Sequence, residues 1–311
     1  MTLVFQADDV PVAGRAEYWR HVIGQTLIPL EPIDVPDRLL ASEVGALQVS
    51  ELSTSTPGGA TRTAVHIRRC DPDLCKIDML AAGRGVIEQG DREAALEPGD
   101  FTLVDLSRPA RWSMGPVRIV TLTFPPAMLP LRRDDLGRLT AVRMRGDHGT
   151  GALVSSLVRR LTEQLDNLSG ADGVRLGTAL VDLLGLGLAT RLDRAEDISH
   201  EGQQRALLVR IQTFIEARLG DPDLTPRNIA AAHYISIRYL HKLFETEQTT
   251  VADWIRRRRL ERCRRDLLDP ACRSAPVGAI GMRWGFRDAA RFSRVFRSAY
   301  GAPPGEYRER R

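Results

Sequence analysis

The stretch WGFRDAARFSRVFRSAYGAPPGEYR, Trp284 to Arg308, decides how the C-terminal third of this chain is read. Its arginines stand at 287, 291, 294 and 297, with Phe292, Val295, Phe296 and Tyr300 between them. A helix opened by Asp288 as N-cap therefore has one apolar and one basic side. Gly285 suits a turn position with positive φ, and VGAIGMR, 277–283, reads as a short helix before that turn. Short helix, tight turn and a second helix with a polar exposed face make the sequence form of a helix-turn-helix.

An earlier copy strengthens the reading, since one such pair occurs in many bundles and two in tandem are specific. In LTPRNIAAAHYISIRYLHKLF, Thr225 is placed as an N-cap with Pro226 at the first helical position, where its missing N–H has no partner to lose. The first helix is expected over 226–233. Ser236 then caps a second helix that turns Leu240, Leu243 and Phe244 inward and Arg238, His241 and Lys242 outward. RALLVRIQTFIEARL, 205–219, is an amphipathic helix leading in, ended by Gly220. Between the two units, VADWIRRRRLERCRRDLL, 251–268, predicts a helix about 27 Å long. That is a scale suited to holding two reading helices about 34 Å apart, one DNA turn. Its run Arg256 to Arg259 is either a solvated face or a source of one or two phosphate contacts.

Charge supports the division. Residues 221–311 carry 19 Lys+Arg against 11 Asp+Glu, while 1–220 carry 25 against 29. A basic terminal third beside an acidic remainder fits one domain facing a polyanion and another that does not. At 311 residues the chain has room for two domains, and 43% apolar with 27% charged residues describes a folded globular protein. Cys70, Cys75, Cys263 and Cys272 match no zinc spacing and no disulfide framework, so they are expected to be reduced thiols in a cytoplasmic protein. No basic-then-apolar leader opens the sequence, and no uninterrupted apolar run approaches about 18 residues, so neither secretion nor membrane insertion is expected.

The N-terminal half has a different texture. Residues 14–28 suggest an amphipathic helix through Ala16, Trp19, Ile23 and Leu27. From about 44 to 124, short Val/Ile/Leu/Thr-rich runs separated by Gly and Pro, TAVHIRR among them, predict six or seven strands in a sandwich or small barrel. In LEPGDFTLVDLSRPARW, 96–112, Pro98-Gly99-Asp100 is a turn delivering the strand Phe101 to Leu106, and Pro109 redirects the chain. This resembles the second motif of the cupin barrel, with Arg111 where that family's metal-binding His would stand. The first cupin motif is absent: histidines at 21, 66, 148, 200, 233 and 241 include no His-X-His pair. A metal site is therefore not expected, and His66 reads either as a locally bonded strand histidine or as a cavity residue. Two helices follow at about 150–192, the first carried by Leu153, Leu157, Leu161 and Leu165. They either pack on the barrel or contribute a homodimer contact. DRAEDISHEGQQ, 193–204, reads as a linker. The expected organisation is a sensing domain at 1–150, a helical dimerisation or packing segment at 151–192, that linker, and a DNA-binding domain at 205–311.

Residues 205–311 resemble the AraC/XylS family of bacterial transcription regulators. Gly285-Phe286, Phe292, Arg294, Phe296, Gly301, Pro304, Tyr307 and Arg308 stand at the family's signature spacing. The strand-rich half resembles, more loosely, its cupin-like sensory domain. The implied fold is α+β: an N-terminal cupin-like β-barrel with a helical segment, then an all-α domain with two helix-turn-helix units. Two positions depart from the family: Tyr234 stands where Gly is usual in the first turn, and FETEQTTV lacks a common Gly.

The resemblance and the exposed-face geometry together imply roles. Arg238, His241 and Lys242 are expected at base edges and nearby phosphates, as are Ala290, Arg291 and Arg294 from the second unit, with Ser236, Arg287 and Ser293 placed for phosphates. Arg294 has the alternative of pairing with an acid inside the domain. Phe286, Phe292, Phe296, Trp284 and Tyr307 are expected as core. His66, Arg68, Arg111 and Trp112 are candidates to line an effector cavity for a carboxylate or aromatic compound. Double-stranded DNA, a small effector, RNA polymerase and a second copy of the chain are the expected partners, with no cofactor and no enzymatic activity. The competing readings are a ligand-independent architectural dimer and a cupin-type metalloenzyme.

Overall fold

The structure is a computed structural model that describes residues 2–11, 14–26, 30–32, 36–165, 168, 170–192 and 200–309. The chain divides into two compact units, Met1–Val209 and Arg210–Arg311.

The N-terminal unit is built on strands β1 (Leu3–Gln6), β2 (Glu31–Pro32), β3 (Arg38–Val44), β4 (Leu47–Thr54), β5 (Gly58–Arg62), β6 (Cys75–Gln89), β7 (Arg92–Leu96), β8 (Phe101–Asp105) and β9 (Ala110–Phe124). All pairings among these strands are antiparallel. The two long strands organise the rest. β6 and β9 pair along most of their length, with register shifts between Leu80 and Ala82 and between Gly83 and Gly85. On one side of that irregularity β9 takes β4 and β6 takes β8; on the other, β9 takes β5 and β6 takes β7. Bulges at this point let one pair of strands serve two differently directed sheets, which is how a barrel-like sandwich turns its corner. Gly83, at φ +88°, is needed there, because a Cβ would lie 2.1 Å from the Pro116 carbonyl oxygen.

Successive strand residues face opposite ways, and the sequence uses both faces. Val49, Ile77, Met79, Val120, Leu122 and Phe124 point outward into a core shared with two helices, α4 (Gly149–Glu163) and α5 (Gly170–Arg191), through Val154, Val158, Leu161, Leu180, Leu184 and Leu188. Their neighbours Leu80, Val117 and Ile119, with Ile87, Val104 and Trp112, form a second core inside the sandwich. α5 is apolar enough and long enough to cross a membrane by composition, yet half of its apolar window is buried in this unit. Asp100 fixes the predicted turn: it is buried, accepts the amides of Glu97 and Gly146 at 3.1 Å, and pairs with Arg143.

Two expectations change, and a third falls partly outside the described residues. TAVHIRR is not a strand; Thr63 precedes a short helix, α2 (Ala64–Arg69), whose His66 Nδ1 accepts the Thr63 amide at 3.1 Å. His66 is thus a helix-capping group, not a strand residue. The first helix, α1, spans Arg15–Thr26, and the expected residues 27 and 28 lie outside the described residues. Of the expected linker, 193–199 lie outside the described residues, while 200–204 belong to helix α6 (His200–Ala217). A polar segment without apolar periodicity is compatible with a helix start, because the first turns need no buried face.

The C-terminal unit is helical: α7 (Pro226–Ala232), α8 (Ile237–Glu245), α9 (Val251–Leu268), α10 (Val277–Arg283), α11 (Ala289–Tyr300) and α12 (Pro304–Glu309). α9 has the predicted bounds and serves both halves of the unit. Val251, Trp254 and Ile255 are buried near its start, with Trp254 edge-on to Phe244 at 6.1 Å. Leu260, Cys263 and Leu267 join Ile280, Phe292 and Phe296 at the other end, with Trp284, Phe286 and Tyr307 packed around them.

Candidate nucleic-acid interface and effector cavity

Three of the four helices in the two helix-turn-helix units start at the capping side chains read from the sequence, while α10 follows Pro276, which gives no side-chain cap. Thr225 accepts the amide of Asn228, Ser236 that of Tyr239 at 3.1 Å, and Asp288 that of Arg291. The two turns share one backbone solution. Tyr234 at φ +53° and Gly285 at φ +77° are each followed by a residue whose amide reaches five positions back: Ile235 to the Ala230 carbonyl and Phe286 to the Gly281 carbonyl, both at 3.0 Å. This is the 6→1 closure of a helix ending in a left-handed residue. The same conformation recurs at Gln248, φ +53°, inside FETEQTTV. Both departures from the family's glycines thus keep the turn and accept the strain, about 1 kcal/mol at each residue.

On α8, Arg238, His241 and Lys242 are exposed; on α11, Ala290, Arg291 and Arg294 are exposed and Ser293 is half-buried. The alternative for Arg294, an acid partner, is not found among the described residues. Ser236 spends its oxygen on the cap but keeps its hydroxyl proton, and Arg287 pairs with Asp223 and reaches the Pro222 carbonyl.

The arginine run is mostly structural. Arg256 pairs with Asp253, and Arg258 with Glu216 and Glu261. Arg259 donates to the Leu219 carbonyl at 2.9 Å and the Gly285 carbonyl at 3.1 Å, and also to that of Asp221. It fastens the end of the lead-in segment to the second turn. Burial lowers its pKa, Asp221 countering, but an arginine stays charged. Burial also pushes the Cys75 and Cys263 thiols up to about 12, which makes them poor nucleophiles.

In the N-terminal unit a cavity of about 100 Å³ opens between the sheets. Its walls include Ile23, Leu30, Leu52, Met114, Val117 and Ile119, with Ser50, Thr54, Lys76, Trp112 and Thr121 as the groups carrying polar atoms. Of the four sequence candidates only Trp112 is here. Arg111 faces away because it neighbours Trp112 on β9, and it borders a shallow depression with Arg62 and Thr63; His66 and Arg68 sit on α2. The residues missed are Lys76 and Asp78. Asp78 is fully buried, pairs with Lys76 at 2.9 Å, and accepts Trp112 Nε1 and Thr121 Oγ1, each at 2.7 Å. A signal was present: Lys76 is one of two lysines in the chain, placed two residues from an aspartate in an apolar strand, so both face the same way.

An antiparallel β-sandwich unit with packed helices, followed by two helix-turn-helix units, defines a DNA-binding regulator with a sensory domain. Family comparison agrees: an AraC-binding-like domain matches residues 19–189 and a helix-turn-helix domain matches 229–310. The chain belongs to the AraC family of transcription regulators. It is 33% identical over 291 residues to the transcriptional activator NphR of Rhodococcus sp., covering 88% of this chain and 82% of that protein. It is also 26% identical over 257 residues to an uncharacterized protein in the nit 5' region of Bacillus sp. (strain OxB-1), covering 78% and 97%. The AraC-like transcriptional activator CuxR shares the fold, with a TM-score of 0.53 at 20% identity over 91% of this chain and 99% of that one.

Proposed function

We propose that this regulator activates transcription by reading two successive major-groove segments, in response to a small molecule held in the cavity of its N-terminal unit. The observation that carries the DNA reading is the pair of capped helices α8 and α11, each exposing basic side chains that make no ion pair among the described residues. Arg291 and Arg294 suit guanine, whose O6 and N7 a guanidinium fork reaches together, and Ala290 suits a thymine methyl. Arg238, His241 and Lys242 serve the first segment. Ser236, Ser293 and Arg287 hold phosphates, Arg287 by exchanging its exposed Asp223 partner. Activation follows the name of the relative NphR and implies contact with RNA polymerase in the cytoplasm. A homodimer through α4 and α5 is supported by Leu153 and Leu186, which are large, apolar and exposed.

The reading is non-enzymatic, in keeping with the family. Its test is genome-wide mapping of bound DNA followed by transcription from the bound promoters. Reproducible paired sites one helical turn apart, with transcription lost on deletion of the protein, are expected. Scattered, sequence-independent occupancy would favour the architectural alternative.

A further inference from the structure

The hydrogen-bonding inventory of the cavity singles out one class of ligand. Two of its hydroxyls are already committed: Thr121 donates to Asp78 at 2.7 Å, and Thr54 donates to the Thr56 carbonyl at 3.0 Å. Ser50 is 3% exposed and lines the cavity, and its hydroxyl has no hydrogen-bond partner among the described residues. Lys76 has three ammonium protons; Asp78 takes one, and the Trp112 ring face lies 4.2 Å from the nitrogen. At least one proton is left over. The wall therefore offers donors, and the one carboxylate nearby has both oxygens occupied.

Charge and size narrow the class further. Lys76 is the only charged residue among the described lining residues, and Asp78 neutralises it. An anionic ligand would leave a net negative charge beside Asp78 in a largely apolar cavity only partly open to solvent, and a poorly compensated charge there is unfavourable. A cation would face Lys76. The enclosed part, about 100 Å³, is below the roughly 150 Å³ of a closed engineered cavity that admits benzene, but this cavity is open to solvent at its mouth, so one substituted ring lodged partly in that mouth is the upper limit of size.

We propose that the cavity selects a neutral, ring-sized, largely apolar molecule carrying one hydrogen-bond acceptor, which Lys76 and Ser50 hold. This rests on the effector reading above and replaces the carboxylate expected from Arg68 and Arg111, neither of which reaches the cavity.

The test is calorimetric titration of the full chain at pH 7.5 with three near-isosteric probes: acetophenone, benzoate and ethylbenzene. Acetophenone is expected to bind at least roughly 10-fold more tightly than benzoate, the difference of one poorly compensated charge. Ser50→Ala is expected to weaken acetophenone roughly 3- to 10-fold, one neutral hydrogen bond, and to leave ethylbenzene unchanged. Ile119→Trp, which fills the cavity, is expected to abolish both; Leu52→Phe is the milder substitute should circular dichroism show that variant unfolded. Benzoate binding more tightly than acetophenone, with Ile119→Trp abolishing both, would overturn the charge class while the effector cavity stood. No binding by any probe, or binding indifferent to the filling variants, would overturn the cavity's sensory role and the proposal with it.

Discussion

The two helix-turn-helix units close the same turn with different residues, and the contrast separates what the backbone demands from what the neighbours allow. At Gly285 the demand is double. The residue is buried at φ +77°, and a Cβ would lie 2.7 Å from the Arg259 guanidinium and 2.8 Å from the Leu219 carbonyl oxygen. At Tyr234 the same left-handed conformation is met by a side chain that is 72% exposed, so the close packing that excludes a side chain at Gly285 is replaced by a conformational cost. A turn wedged against the rest of its domain needs glycine; a turn at the surface tolerates tyrosine at about 1 kcal/mol.

The largest expected break in this comparison is Gly285→Ala. It adds left-handed strain to a clash with Arg259 and should cost about 3 kcal/mol of stability, read as a shift in the urea midpoint of the full chain. Tyr234→Ala, its counterpart, should move the midpoint little. Equal effects would mean that the turns are not packed differently.

Acid should separate the units next. His233, in the first helix-turn-helix, is buried edge-on to Phe214 at 5.2 Å, and neither ring nitrogen has a hydrogen-bond partner among the described residues. Burial, then Arg210 and Arg218, lower its pKa to about 4. The folded state thus resists the proton that the unfolded chain accepts near pH 6.5, so stability is full above that pH and falls as pH drops from 6.5 towards 4. The loss should be about 2 kcal/mol between pH 7 and pH 5, and His233→Leu should remove most of it. An unchanged slope in that variant would assign the acid sensitivity elsewhere.

DNA binding sharpens the contrast at a similar scale. Arg291→Ala should cost about 1–3 kcal/mol on the specific site and relax preference at one or two base pairs. Competition against random DNA checks it, since an equal loss on both would make Arg291 a phosphate contact. Arg256→Ala, whose guanidinium is held by Asp253, should change neither much. The smallest effect is a gain: Tyr234→Gly should relieve part of the turn strain and raise stability by about 0.5–1 kcal/mol, seen as a modest rise in Tm.

Local signals carried far in the C-terminal unit. Thr225, Ser236 and Asp288 cap where expected, α9 runs over the predicted 251–268, and Phe292 and Phe296 are buried. Each depends on groups within one or two helical turns. TAVHIRR misled because its Val and Ile favour a strand while the Thr63 and His66 cap, together with the chain reversal between β5 and β6, imposes a helix. The arginine run misled for another reason: Glu216, which holds Arg258, is 42 residues away.

What the sequence by itself determined is therefore the tandem helix-turn-helix, the exposed basic sides of α8 and α11 and the strand-rich character of the N-terminal half, because caps, helical periodicity and turn residues act locally. What only the tertiary structure decided is which charged groups are spoken for and which face a cavity. Arg259 bridges three distant carbonyls, and Lys76 points at Trp112 instead of water. Both follow from the closing of strands and helices far apart in the chain, and desolvation there sets what each charge can bind.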